Sequence, residues 1–193
     1  MRHSILFLFS LFLILGGCDS KPPFVSSDIS YADFGKDFAL TDHHGQPRTL
    51  ADFRGKAVVM FFGYTQCPDV CPTTMSAMSE VMKQLGPDAA KVQVLFVSVD
   101  PERDTPELLA QYVPAFNPSF LGLYSDPQTT AKTAQDFHIF YKKQPGSTPN
   151  TYTVDHTAGS YAYDPQGKLR LYIKYGENPA VIAKDLKLLI DGK

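Results

Sequence analysis

Two cysteines lie four residues apart in the segment GYTQCPDVCP, at Cys67 and Cys71, and a proline follows each of them. Such a pair can form a disulfide, bind a metal ion, act as a redox couple, or lie inert in a hydrophobic core. If the segment is near-helical, the separation corresponds to a rise of about 6 Å, which suits a disulfide or two thiolates on one metal ion. The spacing alone leaves these alternatives open.

A third cysteine, Cys18, follows a positively charged start (MRH) and an apolar run that ends in LGGC. This order is typical of a secretory signal, and the run is shorter than the roughly 20 residues that a membrane-spanning helix needs. LGGC resembles the bacterial lipoprotein box, which predicts a signal peptide at residues 1–17 and a lipid on Cys18. Asp19 resembles a retention signal, so we expect a lipid-anchored protein of the bacterial inner membrane that faces the periplasm. An ordinary cleaved signal or a short anchor helix is the alternative.

The predicted compartment bears on the remaining pair of cysteines. An exported compartment is oxidising, so an unprotected Cys67–Cys71 pair would tend to close into a disulfide. A domain of this size builds its own core, and a disulfide that closes so short a loop stabilises it little. We therefore expect the pair to be functional rather than structural.

The composition is that of one ordinary folded domain. The net charge is −2, with 44% hydrophobic and 20% charged residues, which leaves no basic surface for nucleic acid and no polybasic membrane patch. Residues 18–36 contain two prolines and several small polar residues, and they are predicted to be a lipidated N-terminus and flexible tether. The domain is predicted to cover residues 37–193.

The elements that must position the cysteines follow from the hydrophobic pattern. Continuous apolar runs predict buried strands, amphipathic spacing predicts helices, and Pro165-Gln166-Gly167 predicts the turn of a hairpin between 153–164 and 168–176. The strands are predicted at 57–64, 92–100 and 120–125, and the helices at 73–85, 105–116, 126–137 and 178–190. This order predicts an α/β domain with a thioredoxin-like fold, in which helices flank a central mixed β-sheet.

The cysteines lie where the strand at 57–64 ends and the next helix begins, a position where α/β sheets gather ligands. Proline is tolerated only in the first turn of a helix, so Pro72 predicts a helix that begins no earlier than about Asp69. Cys67 is then in the loop and Cys71 in the first turn. The partial positive charge at a helix N-terminus favours thiolate over thiol.

Two soft thiolates favour Cu(I), Zn(II) or an iron–sulfur cluster, and two ligands rarely suffice for any of these. The domain offers four histidines as a third ligand: His43, His44, His138 and His156. The first two are predicted in an exposed turn before a glycine. His138 is predicted at a helix end, where a cation suits the helix dipole. His156 follows Asp155 on a predicted strand or its approach loop, and in a strand an ordinary half-buried histidine is the commoner interpretation.

Three segments together resemble the Sco/SenC/PrrC family of copper proteins, which assist cytochrome c oxidase assembly. They are GYTQCPDVCP, VSVDPERDTPE at 97–107 and VDHT at 154–157, and the resemblance covers about Phe38 to Ile190. It implies a thioredoxin-like, membrane-tethered domain that binds copper, as Cu(I) or Cu(II), through Cys67, Cys71 and His156. The same two cysteines are then a redox disulfide when oxidised.

The resemblance also implies partners. The acceptor is the binuclear copper site of cytochrome c oxidase subunit II, served by copper delivery, by reduction of its cysteines, or by both. The other implied partners are a periplasmic copper donor, a thiol reductant of thioredoxin type and the membrane. Asp155 is a candidate for orienting the His156 ring, and Asp100 for a place near the site. For Asp155 the alternative is a solvated or turn-capping role. For Asp100 it is a loop residue that organises the DPERD turn ahead of Thr105.

Other functions remain open. A thiol–disulfide oxidoreductase shares this fold, but its usual CxxC spacing does not occur in the chain. A peroxiredoxin-type peroxidase needs a threonine three residues before its reactive cysteine, whereas Thr65 is two residues before Cys67. A copper or redox sensor without metal delivery is a further alternative, and thiol–disulfide reductase activity is compatible with the copper hypothesis.

Overall fold

The structure is a computed structural model that describes residues 24–148 and 151–193, so the predicted signal peptide and Cys18 lie outside it. The strands are β1 (Ser27–Asp28), β2 (Leu40–Asp42), β3 (Pro47–Arg48), β4 (Ala57–Gly63), β5 (Val92–Ser98), β6 (Leu121–Tyr124), β7 (Tyr141–Pro145), β8 (Tyr152–His156), β9 (Ser160–Tyr163) and β10 (Leu169–Ile173). The helices are α1 (Val70–Leu85), α2 (Pro106–Tyr112), α3 (Pro127–Asp136) and α4 (Pro179–Ile190), with short 3₁₀ helices at Leu50–Phe53 and Gly86–Lys91.

The central sheet is mixed, and the predicted α/β fold class is confirmed. Its eight strands lie in the order β1-β10-β9-β4-β5-β6-β2-β3. β5 runs parallel to both β4 and β6, whereas β9 runs antiparallel to β4. β7 and β8 form a separate two-stranded antiparallel sheet. Helix α1 packs against α4, and α2 lies against β6.

The two central strands explain the continuous apolar runs in the sequence. Every residue of β4 and of β5 is buried. A strand that is covered on both faces has no need for alternating polar residues. The carboxyl ends of these parallel strands carry the cysteine loop and the segment 99–105, so the two loops meet at one end of the sheet.

Side-chain caps place the helices as the sequence predicts. The Asp126 carboxylate accepts hydrogen bonds from the first turn of α3, and the Thr105 hydroxyl accepts one from the first turn of α2. Helix α1 begins at Val70, so Cys71 lies in its first turn, as Pro72 predicts. Among the described residues, no helix is long and apolar enough to cross a membrane.

The packed domain extends N-terminal to residue 37, where we expected it to begin. Strand β1 lies within the predicted tether and pairs with β10. The backbone N–H groups of Val25 and Ser26 donate to the buried carboxylate of Asp185 on α4. Phe24 and Ile29 pack against the hydrophobic core. These contacts satisfy backbone groups that composition alone cannot place, and they bring residues 24–36 onto the domain.

The segment before β9 differs from the prediction. We expected one strand through residues 153–164, but β8 ends at His156 and β9 begins at Ser160. A Cβ at residue 159 would come within 2.2 Å of the Tyr172 ring, so only glycine fits at this position. The break lets β8 leave the main sheet and pair with β7, which we did not predict. The hairpin of β9 and β10 is present, with Gly167 at φ 70° in its turn.

Candidate metal site

Three segments bring Cys67, Cys71 and His156 together at the carboxyl end of β4. Cys67 lies half-buried in the loop after that strand, Cys71 is completely buried in the first turn of α1, and His156 is the half-buried last residue of β8. One ligand atom from each residue lies within 4.8 Å of the other two. Within residues 24–148 and 151–193, this is the one group of three or more cysteine, histidine or acidic side chains so arranged.

The polar contacts inside the group are short. Sγ of Cys71 lies 3.3 Å from Nε2 of His156, and the backbone N–H of Cys71 donates to Sγ of Cys67 at 3.5 Å. The sulfur of Cys67 therefore faces the start of helix α1. The first turn of the helix thus supplies a hydrogen-bond donor to one of the two sulfurs.

A hydrogen bond from Nδ1 fixes the tautomer of the His156 imidazole. Nδ1 of His156 lies 3.0 Å from the carbonyl oxygen of Thr157, and a carbonyl only accepts, so Nδ1 carries the hydrogen. Nε2 is then the lone-pair nitrogen, directed at Cys71. Metal-binding histidines are commonly fixed by such a bond to a backbone carbonyl.

Burial sets the protonation of the metal-free site. It raises the pKa of the Cys71 thiol, and it lowers the pKa of His156 below its usual value of 6.5. At neutral pH the imidazole is thus neutral and Cys71 keeps its proton, which is shared with Nε2. For Cys71, burial outweighs the helix N-terminus that we expected to favour the thiolate. A metal ion that binds both residues must displace that proton.

Two aromatic side chains pack against the His156 imidazole. The ring of Phe61 lies 5.8 Å from the His156 ring, and the ring of Tyr64 lies 5.9 Å from it, both in edge-to-face arrangements. Phe61 and Tyr64 are themselves buried. The imidazole thus packs against two buried aromatic rings, which favours its neutral form.

Gly63, the last residue of β4, allows the Cys71 sulfur its position. A Cβ built on Gly63 would lie 2.9 Å from Sγ of Cys71 and 2.7 Å from the Phe61 ring. Both distances are shorter than carbon atoms tolerate, and neither neighbour has space to retreat in the packed core. The absence of a side chain at residue 63 is thus a steric requirement of the site.

We expect Gly63→Ala to destabilise the metal-free protein by about 1–3 kcal/mol, the usual cost of overpacking a core. It should also weaken copper binding, because the Cys71 sulfur must move. Chemical denaturation and a copper competition titration measure the two effects. An alanine variant with the stability and copper affinity of the parent would contradict the steric argument.

The two candidate aspartates lie near the group but do not touch its ligand atoms. Asp155 is exposed, and its carboxylate accepts a hydrogen bond from Gln144 at 2.6 Å, while the His156 ring is held by Thr157. Asp100 is completely buried and accepts hydrogen bonds from the Tyr152 hydroxyl and from Arg103. Its contacts are thus with the strand that carries His156 and with its own loop.

The other histidines lie away from the group, and one of them corrects an expectation. His44 and His138 are exposed, but His43 is 7% exposed rather than in an open turn. Nδ1 of His43 accepts a hydrogen bond of 2.9 Å from the backbone N–H of Gly122. The residues around His43 in the sequence are mostly polar, so they do not predict that β6 covers its ring.

His43 gives a prediction for the pH dependence of stability. Burial lowers its pKa in the folded state below 6.5, so its contribution to stability is complete above pH 6.5 and is lost as the pH falls toward the folded-state pKa. Protonated Nδ1 also cannot accept from Gly122. Urea unfolding of the metal-free protein should therefore show a steeper loss of stability between pH 7.5 and 5.5 for the parent than for His43→Gln. His138→Asn, at an exposed histidine whose φ of 53° asparagine also adopts, is the control, and equal slopes for parent and His43→Gln would refute the assignment.

Sequence reasoning missed three residues that hold the loops of the site. The buried carboxylate of Asp104 accepts hydrogen bonds from the Thr65 hydroxyl at 2.5 Å and the Ser98 hydroxyl at 2.7 Å, which ties the cysteine loop to β5. Arg103 and Tyr152 form a second connection. The available signal was the position of DPERD directly after a buried parallel strand, since such loops meet at one edge of the sheet.

Comparison with known proteins identifies the family to which the chain belongs. The SCO1/SenC family profile matches residues 26–191. The chain belongs to the SCO1/SenC family. The mitochondrial SCO2 homolog of Mus musculus is 40% identical over 74% of the chain and 56% of the relative. The chain thus spans about half the length of the mitochondrial relatives it matches.

Solved structures of the family agree with the fold. ScoI of Bradyrhizobium japonicum with copper bound is 42% identical, covers 80% of this chain and 98% of its own, and superposes with a TM-score of 0.74. BsSco, described as having a disulfide switch and as a member of the Sco family of cytochrome c oxidase assembly proteins, is 23% identical over 84% of this chain and 98% of its own, with a TM-score of 0.64. The latter supports the fold alone, and the predicted thioredoxin-like fold is confirmed.

Proposed function

We propose that the protein is a copper chaperone that binds one copper ion through Cys67, Cys71 and His156 and delivers it during cytochrome c oxidase assembly. The observation that carries the proposal is the convergence of these three ligand atoms within 4.8 Å, in a chain of the SCO1/SenC family. The copper-bound relative from Bradyrhizobium japonicum supports the choice of metal.

The donor set suits copper. Two sulfurs favour soft Cu(I), and the imidazole nitrogen adds a ligand that Cu(II) also accepts. Nε2 of His156 is already free of hydrogen and faces Cys71. Cys67 is half-buried while Cys71 is buried, so copper enters and leaves on the side of Cys67. A cargo ion needs such an open side, because the acceptor must reach it.

The cellular setting completes the proposal. We propose that residues 1–17 are a signal peptide, that Cys18 carries lipid, and that the domain faces the periplasm from the bacterial inner membrane. The acceptor is the binuclear copper site of oxidase subunit II, the ion comes from a periplasmic copper donor, and a thioredoxin-type reductant keeps the cysteines reduced. The domain begins N-terminal to residue 37, and residues 18–23 join it to the lipid.

A second function is favoured by the same cysteines. Their sulfurs lie close together, with the Cys71 N–H directed at the Cys67 sulfur, so they can form a disulfide with little movement. The dithiol can then reduce a disulfide in the acceptor: two electrons and two protons pass to the acceptor, and Cys67 and Cys71 become a disulfide. Copper binding and the oxidised state exclude each other, since both use the same sulfurs.

The membrane anchor has its own test. Cys18→Ala should shift the protein from the membrane fraction to a soluble or unprocessed form, because the lipid is lost. Incorporation of labelled palmitate into the parent, followed by fractionation, is the measurement. A parent that takes up no palmitate would refute the lipoprotein assignment and would leave the proposal of a copper site unaffected.

Copper delivery is tested by transfer to a purified soluble domain of oxidase subunit II. The reduced, Cu-loaded parent should build the acceptor's binuclear site, whereas the reduced, metal-free parent with free copper chelated away should only reduce the acceptor's cysteines. Appearance of acceptor thiols without copper transfer from the loaded protein would favour the reductase function. A copper sensor would give neither result.

A further inference from the structure

The strand that carries His156 is held outside the main sheet. Within the described part of the chain, β7 and β8 pair with each other and with no other strand. The ring at the end of β8 therefore owes its position to side-chain contacts more than to the eight-stranded sheet. This sets His156 apart from Cys67 and Cys71, which follow directly from β4 and α1.

Tyr152, at the opposite end of β8, faces the domain on the same side as His156. Burial alternates along the strand, with Tyr152 and His156 half-buried, Val154 buried, and the two residues between them exposed. Side chains four residues apart in a strand share a face. The Tyr152 hydroxyl donates to the buried carboxylate of Asp100 at 2.7 Å.

Arg103 joins the two segments that supply the ligands. Its Nη1 donates to the backbone carbonyl of Tyr152 at 2.9 Å and to the side-chain oxygen of Gln66, the neighbour of Cys67, at 3.2 Å. Its Nε donates to Asp100, and its guanidinium lies over the Tyr152 ring, 3.5 Å from the ring centre. On the same strand pair, Lys143 lies 4.8 Å from that ring centre.

We propose that Asp100, Arg103 and Tyr152 form a latch that positions the His156 imidazole against the two sulfurs, and that opening this latch converts a three-ligand copper site into a two-sulfur site. Tyr152 and Arg103 are thus positioning residues for the ion, which they do not touch. The proposal rests on the copper function proposed above. It gives the chaperone a way to hold Cu(II) with the latch closed and to give up one ligand when an acceptor displaces Tyr152.

A double-mutant cycle on the purified full-length protein tests the latch, with Cu(II) and Cu(I) titrated against competing chelators. Tyr152→Leu removes the hydroxyl and the ring and should weaken Cu(II) binding about tenfold, as loss of a residue that orients a metal ligand commonly does. Tyr152→Phe keeps the ring that the Arg103 guanidinium lies over and should lose less affinity. Both should show a Cu(II) spectrum shifted toward that of His156→Ala. Tyr31→Leu, at a tyrosine that is 86% exposed, is the matched control and should bind like the parent.

The cycle separates positioning from general stability. In the His156→Ala background, Tyr152→Leu should cost no further Cu(II) affinity, because the ring it positions is gone. A metal-free readout accompanies it: amide hydrogen exchange in Tyr141–Pro145 and Tyr152–His156 should be faster in Tyr152→Leu and unchanged in α1. If Tyr152→Leu does not fold, Tyr152→Phe decides by the same two measurements.

Three results would overturn the latch. They are parent-like Cu(II) affinity in folded Tyr152→Leu, an equal loss of affinity with and without His156, and unchanged hydrogen exchange in the two strands. If His156→Ala binds copper like the parent, the proposed copper site fails instead. The exchange measurement, which contains no metal, then still decides whether the latch holds the strand.

Discussion

Cys71→Ser should abolish copper binding in both valences, with a loss of affinity of more than about a hundredfold, beyond the usual cost of removing a residue that only orients a ligand. Cys71 is completely buried, its sulfur lies 3.3 Å from Nε2 of His156, and its N–H faces the Cys67 sulfur. Without it, one sulfur and one nitrogen remain, a poor set for Cu(I). Serine keeps the size and a polar hydrogen, so the fold should survive.

The measurement is copper stoichiometry after dialysis against a chelator, together with a thiol count of the denatured protein. Cys67→Ser should behave in the same way. Cys18→Ser is the matched control, since it changes a cysteine outside the described domain and should retain stoichiometric copper. Tight, stoichiometric copper in either Cys67→Ser or Cys71→Ser would show that the two sulfurs are not both ligands.

His156→Ala should separate copper handling from thiol chemistry. The variant should keep its fold and should still form and reduce the Cys67–Cys71 disulfide, because the imidazole supplies no atom to that bond. It should lose most of its Cu(II) affinity and less of its Cu(I) affinity, since two thiolates alone still suit the softer ion. Oxidase assembly in cells should fail with it if delivery is the function.

The pH dependence sharpens this prediction. Burial keeps the pKa of His156 below 6.5, so its nitrogen is available at neutral pH, and its contribution to Cu(II) affinity should fall only below pH 6.5. That part of the pH dependence should be missing in His156→Ala. His44→Ala is a suitable control because His44 is exposed, whereas the buried His43 is not. If His156→Ala still binds Cu(II) tightly and supports oxidase assembly, the reductase function becomes the better account.

Local rules were enough to place the cysteines. Pro72 is tolerated only in the first turn of a helix, and the apolar run of β4 ends at Gly63, so Cys67 had to lie in the loop and Cys71 in the first turn. The buried strands followed from their continuous apolar runs. What the same rules could not give was the protonation of Cys71, because its burial depends on packing from elsewhere in the chain.

His156 and its support depend on contacts between distant residues. Its own context favoured an ordinary strand histidine, and only the family resemblance singled it out. Strand β7 is largely exposed and polar, so it carries no clear alternation, and the pairing that aims His156 was therefore missed. Arg103 and Tyr152 are 49 residues apart, and no local pattern relates them. The same holds for His43, which is covered by β6.

The most direct test of the copper site is X-ray absorption at the copper edge of the loaded, reduced full-length protein, with the parent and His156→Ala side by side. We expect two sulfur scatterers and one imidazole in the parent, and the same two sulfurs without the imidazole in His156→Ala. A parent spectrum with fewer than two sulfurs, or an imidazole signal that survives His156→Ala, would contradict a site built from Cys67, Cys71 and His156.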